Sequence, residues 1–344
     1  MAYSIGITGT AKNTGKTTTT IKILDYAYRK GIRVGVTSIG YDGEEWDNVT
    51  GLAKPRLYLQ RETIVALAEK CLISSTAEIE ILNRTKLNTP LGRIIIGKVT
   101  KPGLVVVAGP NKGNELKTIL DELERYECKL NIVDGALNRI APMTVVDGLI
   151  FTTGASRNID PSIIAQEAKA LSYMSQLPLC ESFKDYNNVT LFSHEETIEL
   201  NVPFLLTSSD MEGLDKFKKF HTIYIPGTVS IKILKKLFED YNDKKLIFYH
   251  PIHLIAGIDF VKSYTLVKNF VENGGNLFFK KTTPLHAFTI NPFYPQFRLK
   301  RNYYKPAYID KDSLKYEMEQ NVNVPVFNVM EDDLTDFYYI FEAP

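Results

Sequence analysis

The sequence of 344 residues has little cysteine, no long apolar run and no large excess of charge of either sign. The 3 cysteines are widely spaced and form no C-x-x-C pair, which argues against a zinc site and favours free thiols in a reducing compartment. A net charge of +1 argues against a dedicated nucleic-acid-binding protein. The apolar runs are far shorter than the roughly 20 residues of a membrane helix, and no signal peptide is apparent. We therefore expect a cytoplasmic protein with neither nucleic acid nor membrane among its partners.

What the sequence does contain is an alternation of short apolar strands and helices. In the first half, the pattern predicts strands at 3–9, 32–40, 78–83, 93–99, 103–110, 129–136 and 148–155, and helices at 15–30, 62–72, 113–126 and 160–176. Continuous apolar strands separated by helices are typical of a mostly parallel sheet covered by helices on both faces.

The second half is also α/β in pattern, and it is rich in Phe and Tyr. We expect strands near 189–192, 203–207, 221–226, 245–249, 276–280 and 286–291, and helices near 229–240, 258–273 and 311–321. The sequence therefore predicts an α/β fold in two domains, the first at 1–180 and a smaller C-terminal α/β domain at 181–344. The second domain has no recognisable catalytic groups and is interpreted as partner-binding.

The stretch GITGTAKNTGKTTTT, at 6–20, joins the first predicted strand to the first predicted helix. Backbone N–H groups of such a turn, and the positive end of the helix, are suited to phosphate oxygens. Lys16 is placed to reach the β- and γ-phosphates, and the Thr17 hydroxyl to ligate Mg²⁺. The first domain is thus predicted to be a P-loop NTPase domain, with these nucleotide-binding residues: Gly9, Thr10, Lys12, Asn13, Thr14, Gly15, Lys16, Thr17 and Thr18.

Such a loop also needs an acidic residue at the end of a neighbouring strand, to hold the metal or orient a water. Asp134 follows an apolar strand and precedes glycine, so we predict it as a metal ligand and catalytic residue. Asp42, in SIGYDGEEWD after the second strand, is the other candidate for both roles, although a solvated acidic loop would give the same pattern. Asp147 precedes its strand and is expected at the opposite edge of the sheet.

The nucleotide is predicted to be ATP, bound with Mg²⁺. The stretch NKGN at 111–114 is similar to the N-K-x-D guanine motif of GTPases, but Asn114 stands where the aspartate would accept the guanine protons. It also precedes the Asp134 strand, whereas the guanine motif follows the corresponding strand in GTPases. Both differences favour ATP over GTP.

Several stretches together resemble one family. GITGTAKNTGKTTT, VTSIGYDGE, KPRLYL, VVVAGPNKGNELK, VDGALNR and LIFTTGAS are similar to the P-loop subunit of lysine 5,6-aminomutase and ornithine aminomutase reactivases, and FTINPFYP and VPVFNVM fit the same pattern. More broadly, the five residues between Gly9 and Gly15 give the loop spacing of dethiobiotin synthetases, and the loop also resembles that of Mur ligases.

The resemblance implies a specific function. A reactivase uses ATP to exchange damaged cobalamin for intact adenosylcobalamin on a B12-dependent amino acid aminomutase. It acts together with a second subunit that is similar to MutS-type ATPases. The partners implied are therefore the aminomutase and this second subunit.

Two other classes of function remain open on the sequence alone. An ATP-dependent carboxylate ligase of the dethiobiotin synthetase or Mur type would need a cation to steady an acyl phosphate, for which Lys54, Arg56 and Lys98 are candidates. A nucleotide-gated scaffold without turnover is the third class. His250 and His253 are interpreted as structural histidines, and the basic, aromatic stretch RLKRNYYK at 298–305 as a solvated loop.

Overall fold

The computed structural model describes residues 2–42, 57–135, 141–180, 183–217, 219–255, 259–298 and 303–332. The chain forms two compact units. Unit 1 consists of Met1–Ala165 together with Pro284–Pro344, and unit 2 consists of Gln166–Thr283. This division differs from the expected one at 180, because the C-terminal segment belongs to the first unit.

Both units are built from strands and helices. The strands are β1 (Tyr3–Gly9), β2 (Val34–Ser38), β3 (Tyr41–Asp42), β4 (Leu57–Leu59), β5 (Ile64–Ala68), β6 (Glu78–Thr89), β7 (Gly92–Lys101), β8 (Gly103–Val105), β9 (Val107–Ala108), β10 (Leu130–Asp134), β11 (Gly148–Gly154), β12 (Thr190–Phe192), β13 (Thr197–Glu199), β14 (Thr222–Ile225), β15 (Lys245–Phe248), β16 (Asn276–Phe279), β17 (Leu285–Asn291), β18 (Phe293–Arg298), β19 (Tyr303–Tyr308) and β20 (Val326–Asn328). The helices are α1 (Lys16–Arg29), α2 (Gly113–Glu124), α3 (Pro161–Ser175), α4 (Glu212–Lys216), α5 (Ile231–Asp240), α6 (Phe260–Glu272) and α7 (Lys311–Asn321).

Unit 1 contains a nine-stranded sheet, the first sheet, in the order β20-β17-β11-β1-β10-β2-β5-β7-β6. The strands from β20 to β5 in this order run parallel, whereas β7 and β6 are antiparallel to their neighbours. The α/β class and the mostly parallel sheet are therefore confirmed. The parallel strands β2, β5, β10 and β11 are buried at every residue, which explains their nearly continuous apolar sequences.

Helices pack on both faces of the first sheet, as β5 illustrates. Successive side chains of a strand point to opposite faces. Ile64 and Ala66 belong to a core cluster with Ile119 and Leu123 of α2. Val65 and Leu67 belong instead to the cluster that contains the apolar face of α1. Burying one such aliphatic side chain stabilises the fold by about 1.5–3 kcal/mol.

The predicted helix at 62–72 is wrong. Its apolar run IVALA forms β5, paired with β2 and β7, and only Glu69–Leu72 turns as a short 3-10 helix. Glu62 has a φ of 71°, which interrupts any helix at this point. A run of five buried residues fits either element by periodicity, and here pairing on both sides makes it a strand.

Unit 2 has its own sheet of five strands, in the order β13-β12-β14-β15-β16. Strands β14, β15 and β16 are parallel, and β12 is antiparallel to β14 and β13. Helices α5 and α6 contact each other through stacked rings of Phe238 and Phe270, 4.2 Å apart. The strand expected at 203–207 is reduced to one bridge between Leu205 and Val229. The antiparallel strand β13 was not expected.

Two further observations complete the fold. Strands β18 and β19 form an antiparallel ribbon, and in the described part of the chain they pair only with each other. No helix within the described ranges combines the length and apolar character needed to cross a membrane.

The two histidines of YHPIH follow β15 in unit 2. His250 is buried, its Nε2 lies 3.0 Å from Thr283 Oγ1, and its Nδ1 accepts a hydrogen bond from Ile252 N. Burial, with smaller effects of His253 and Lys281, lowers the pKa of His250 to about 3. Burial likewise lowers the pKa of His253 to about 4. Both imidazoles are therefore neutral in the folded chain at neutral pH.

This burial predicts acid sensitivity. Between pH 4 and 6.5 the unfolded chain binds more protons at these histidines than the folded chain, so the free energy of unfolding should fall as pH falls through that window. Each histidine contributes up to about 1.4 kcal/mol per pH unit to the slope of the free energy of unfolding against pH. We expect His253→Gln to make the decline shallower in denaturant titrations at several pH values. An unchanged slope in His253→Gln would contradict the assignment.

Candidate functional site

Parallel strands bring the predicted site residues to one edge of the first sheet, its carboxyl edge. Ile7 near the end of β1 is level with Asp134, and Asp134 is level with Ser38 at the end of β2. On the other side of β1, Gly9 is level with Thr152 of β11. Ligands of α/β sheets bind at this edge, so the sheet itself positions a candidate site here.

The loop 9–15 joins β1 to α1 and contains two residues in the left-handed region, Asn13 with φ 62° and Gly15 with φ 96°. Gly15 is the N-cap of α1, and no side chain among the described residues caps this helix. The first amide to bond within the helix is that of Thr19, which donates to Gly15 O at 2.8 Å. The amides of residues 16–18 therefore have no intrahelical acceptor and present the positive end of the helix dipole to a ligand.

Threonines hold the loop against β11. Thr10 N donates to Thr152 O at 2.9 Å, and Thr10 Oγ1 donates to Thr153 Oγ1 at 2.8 Å. Thr14 is buried, and its Oγ1 lies 2.9 Å from Thr152 Oγ1 and donates to the carbonyl of Ala11. A side chain on Gly9 would place its Cβ 2.5 Å from Thr14 Oγ1, so the loop requires glycine there. The loop is thus ordered by hydrogen bonds to β11 and by one within the loop.

The predicted cationic and hydroxyl residues lie on the accessible side of this loop. Lys16 is the first residue of α1 and is half-buried, as are Thr17 and Thr18. Lys12 is exposed in the loop. An ammonium group and a hydroxyl at the first two positions of a helix are suited to bind phosphate oxygens and a hydrated cation, respectively.

Asp134 and Asp147 lie at opposite edges of the first sheet, as expected. Asp134 is the last residue of β10 and is only 6% exposed at the carboxyl edge. Asp147 precedes β11, and its Oδ2 accepts hydrogen bonds from the amide and hydroxyl of Ser4 at 2.8 and 2.6 Å. Asp147 therefore links the starts of β1 and β11 by hydrogen bonds. Asp134 is the carboxylate that lies at the same edge of the first sheet as the loop.

The structure describes the backbone of Asp42 but not its side chain. It forms the two-residue strand β3 with Tyr41, antiparallel to β9. Its side chain, and the neighbouring Glu44, Glu45 and Asp47, lie outside what the structure describes. The second predicted carboxylate therefore stays a prediction.

The metal that the sequence predicts for this site is Mg²⁺. No group of three or more His, Cys, Asp or Glu suited to a metal ion occurs within the described ranges. Mg²⁺ is usually bound by one or two protein oxygens, with waters and phosphate oxygens completing the octahedron. Thr17 at the start of α1 and the buried Asp134 at the end of β10 are the oxygen donors that the sequence predicts for this ion.

Comparisons of the chain with family models, with curated proteins and with solved structures found no match. The function therefore has to be inferred from the residues at the carboxyl edge and their geometry.

Two residues of the C-terminal segment contact the loop, although the sequence did not predict them as site residues. Asn291, the last residue of β17, donates from Nδ2 to the carbonyl of Asn13 at 3.1 Å. A Cβ on Gly15 would lie 3.1 Å from Val329 Cγ2, so Val329 also packs against the loop. Both residues fall in the predicted second domain, and the only sequence signal was an apolar strand ending in Asn-Pro.

Asn291→Ala is expected to weaken binding of the predicted nucleotide, ATP, roughly five- to tenfold, because one part-buried hydrogen bond to the loop is lost. Titration calorimetry with a slowly hydrolysed ATP analogue measures this. The control is Asn328→Ala on β20, a buried asparagine whose Oδ1 accepts from Met330 N. An equal loss of affinity in both variants would mean that Asn291 acts only through stability.

Proposed function

We propose that the chain binds ATP with Mg²⁺ at residues 9–18 and hydrolyses it. The observation that carries this proposal is the α1 N-terminus, which no described side chain caps. It follows an ordered loop directly after β1 and shares the carboxyl edge with Asp134. An anion at this position would meet helix amides and the Lys16 ammonium, and both are suited to phosphate oxygens.

Within this proposal each residue has a distinct task. Lys16 offsets the charge of the β- and γ-phosphates, and the amides of residues 16–18 orient the phosphate chain. Thr17 and Asp134 would hold Mg²⁺, which when bound neutralises developing charge on the phosphate oxygens. Asp42 is the alternative carboxylate for that role.

The proposed use of ATP is the reactivation of a partner enzyme. The motifs that resemble aminomutase reactivases support a factor that helps to exchange damaged cobalamin for adenosylcobalamin on a B12-dependent aminomutase, together with a MutS-like second subunit. Such a factor must bind two conformations of its partner with different affinity, depending on the nucleotide. The loop after β2 would respond to the γ-phosphate, as switch loops do in other nucleotide-dependent proteins.

A carboxylate ligase is the second candidate, supported by the five-residue spacing between Gly9 and Gly15. Of its three possible cations, Lys98 is already paired with Glu80 at 3.2 Å on the antiparallel part of the first sheet. Lys54 and Arg56 lie outside the described residues. The ion pair makes Lys98 a weaker candidate for the cation that a ligase would need.

A reconstitution assay separates the two candidates. Cobalamin-inactivated aminomutase is incubated with this chain, the second subunit, ATP, Mg²⁺ and fresh adenosylcobalamin. Aminomutase activity should return, and omission of ATP should prevent its return; replacing ATP by GTP tests the nucleotide assignment. No recovery with lysine or ornithine aminomutase, together with ATP-dependent phosphorylation of a small carboxylate, would overturn the proposal in favour of the ligase.

A further inference from the structure

Ser38, the last residue of β2, lies beside Asp134 at the carboxyl edge of the first sheet. The two residues are level on neighbouring parallel strands, which in a sheet lie about 4.8 Å apart. Val36 and Ile132, two positions earlier on the same strands, both belong to the core cluster that contains the apolar face of α1. Because side chains alternate along a strand, Ser38 and Asp134 project from the face of the sheet that α1 covers.

The hydroxyl of Ser38 joins two segments that are far apart in the sequence. Ser38 is 1% exposed, and its Oγ lies 2.9 Å from Gly40 O and 3.2 Å from Val107 O. A serine hydroxyl has one hydrogen, which these two carbonyls share. The same oxygen accepts a hydrogen bond from Gly109 N at 3.1 Å. One buried hydroxyl thus holds the turn after β2 against β9 and the residues that follow it.

The backbone of both segments is shaped for this contact. Gly40 has a φ of 71°, in the left-handed region that favours glycine. A Cβ on Gly109 would lie 1.8 Å from Ser38 O, so any other residue there would push the two segments apart. Gly109 N also donates to Gly40 O at 2.9 Å, and Gly40 N donates to Pro110 O at 3.0 Å. Residues 38–40 and 107–110 are here called the junction.

The junction adjoins both carboxylates predicted to hold Mg²⁺. Ile39 N donates to the backbone carbonyl of Asp134 at 2.8 Å, so the turn after β2 is bonded to the end of β10. The backbone of Asp42 is level with Val107 of β9, whose carbonyl accepts from Ser38. The position of Asp42 relative to Asp134 is therefore set through the junction.

We propose that Ser38 is a positioning residue for ATP hydrolysis, whose hydroxyl fixes the segment that carries Asp42 in place beside Asp134. The inference rests on the proposed function, which supplies the reaction. Nucleotide affinity should not depend on Ser38, because the hydrogen bonds described between the loop 9–15 and other strands go to β11 and to Asn291. Hydrolysis should depend on it, since a displacement of about 1 Å near the reacting groups can cost roughly a hundredfold in rate.

The test separates the rate of hydrolysis from nucleotide affinity in Ser38→Ala. Single-turnover hydrolysis at saturating ATP and Mg²⁺ gives the rate constant, and titration calorimetry with a slowly hydrolysed ATP analogue gives the affinity. We expect the rate constant per folded molecule to fall at least about tenfold, and the affinity to change less than about twofold. Ser38→Cys should show the same separation, because a thiol is only a weak donor. This second variant keeps the test decisive if Ser38→Ala does not fold.

Ser263→Ala is the matched control. Ser263 is buried in α6 of unit 2, and its hydroxyl donates to Leu254 O at 2.7 Å, so the same substitution again removes a buried hydrogen bond to a carbonyl. It should lower the thermal unfolding midpoint and leave the rate constant and the affinity at wild-type values. Hydrogen exchange gives a readout that needs no nucleotide: the amides of the junction should exchange faster in Ser38→Ala than in Ser263→Ala.

Three results would overturn the inference while hydrolysis by the wild-type chain still supports the proposed function. They are a wild-type rate constant in both Ser38 variants, an equal loss of rate and affinity in them, and an equal loss of rate in Ser263→Ala. Unchanged exchange of the junction amides in Ser38→Ala would also contradict it. If the wild-type chain releases no phosphate from ATP, the proposed function fails and the role of Ser38 fails with it.

Discussion

Replacing Lys16 by alanine is expected to lower ATP hydrolysis by at least about a hundredfold, the scale on which removal of one preorganised group at a developing charge acts. Lys16 is the first residue of α1, beside amides that have no intrahelical acceptor. Its charge would stabilise the phosphates in the ground state and in the transition state, so nucleotide affinity should also fall. Phosphate release and titration calorimetry measure the two effects.

The matched control lies at the other end of the same helix. Lys30 is the C-cap of α1, where its Nζ lies 5.9 Å from the centroid of the Tyr26 ring. Lys30→Ala should keep wild-type nucleotide affinity and turnover. Wild-type nucleotide affinity and turnover in Lys16→Ala would contradict the assignment of the nucleotide site to residues 9–18.

Asp134→Asn is expected to leave the fold and most of the nucleotide affinity intact but to lower hydrolysis by a large factor, on the order of a hundredfold. The amide keeps the shape of the buried carboxylate and loses the charge that would position Mg²⁺. Single-turnover hydrolysis at saturating ATP measures the effect on the chemical step. A shift in the Mg²⁺ dependence should accompany it, because the metal is held less tightly.

Asp147→Asn is the control for Asp134, since it changes the same chemical group beside β11, which is separated from β10 by β1 in the first sheet. Asp147 accepts two hydrogen bonds from Ser4 at the opposite edge. Its replacement should lower the thermal unfolding midpoint and leave turnover per folded molecule unchanged. If Asp42→Asn lowers hydrolysis and Asp134→Asn does not, Asp42 is the metal carboxylate.

The local parts of the candidate site could be predicted from the sequence. A helix expected at 15–30 occurs as Lys16–Arg29, because a glycine-rich turn and an apolar helical stripe are properties of neighbouring residues. The edge of the first sheet at which each of Asp134 and Asp147 lies could be predicted from strand direction alone. In a parallel sheet a residue after a strand and a residue before one must lie at opposite edges.

The pairing of distant strands could not be predicted in this way. Strand β17 was expected, but nothing in its sequence indicates that it pairs with β11 instead of strands closer in sequence. The contribution of Asn291 to the loop depends on that pairing. The ribbon was missed for a related reason: its apolar alternation is formed by aromatic and proline residues between cations, a pattern that also fits an unpaired loop.

The insertion of unit 2 between β11 and β17 has a consequence for biosynthesis. On the ribosome, β1, β10 and β11 emerge early, but the strand that covers the outer side of β11 emerges only after all of Gln166–Thr283 has been made. Until then the nascent chain exposes an unpaired strand edge, which is prone to associate with other chains. A polypeptide that stops at residue 180 would keep this edge permanently. It would also lack Asn291, so its loop would never receive the hydrogen bond that Asn291 donates to Asn13 in the full chain.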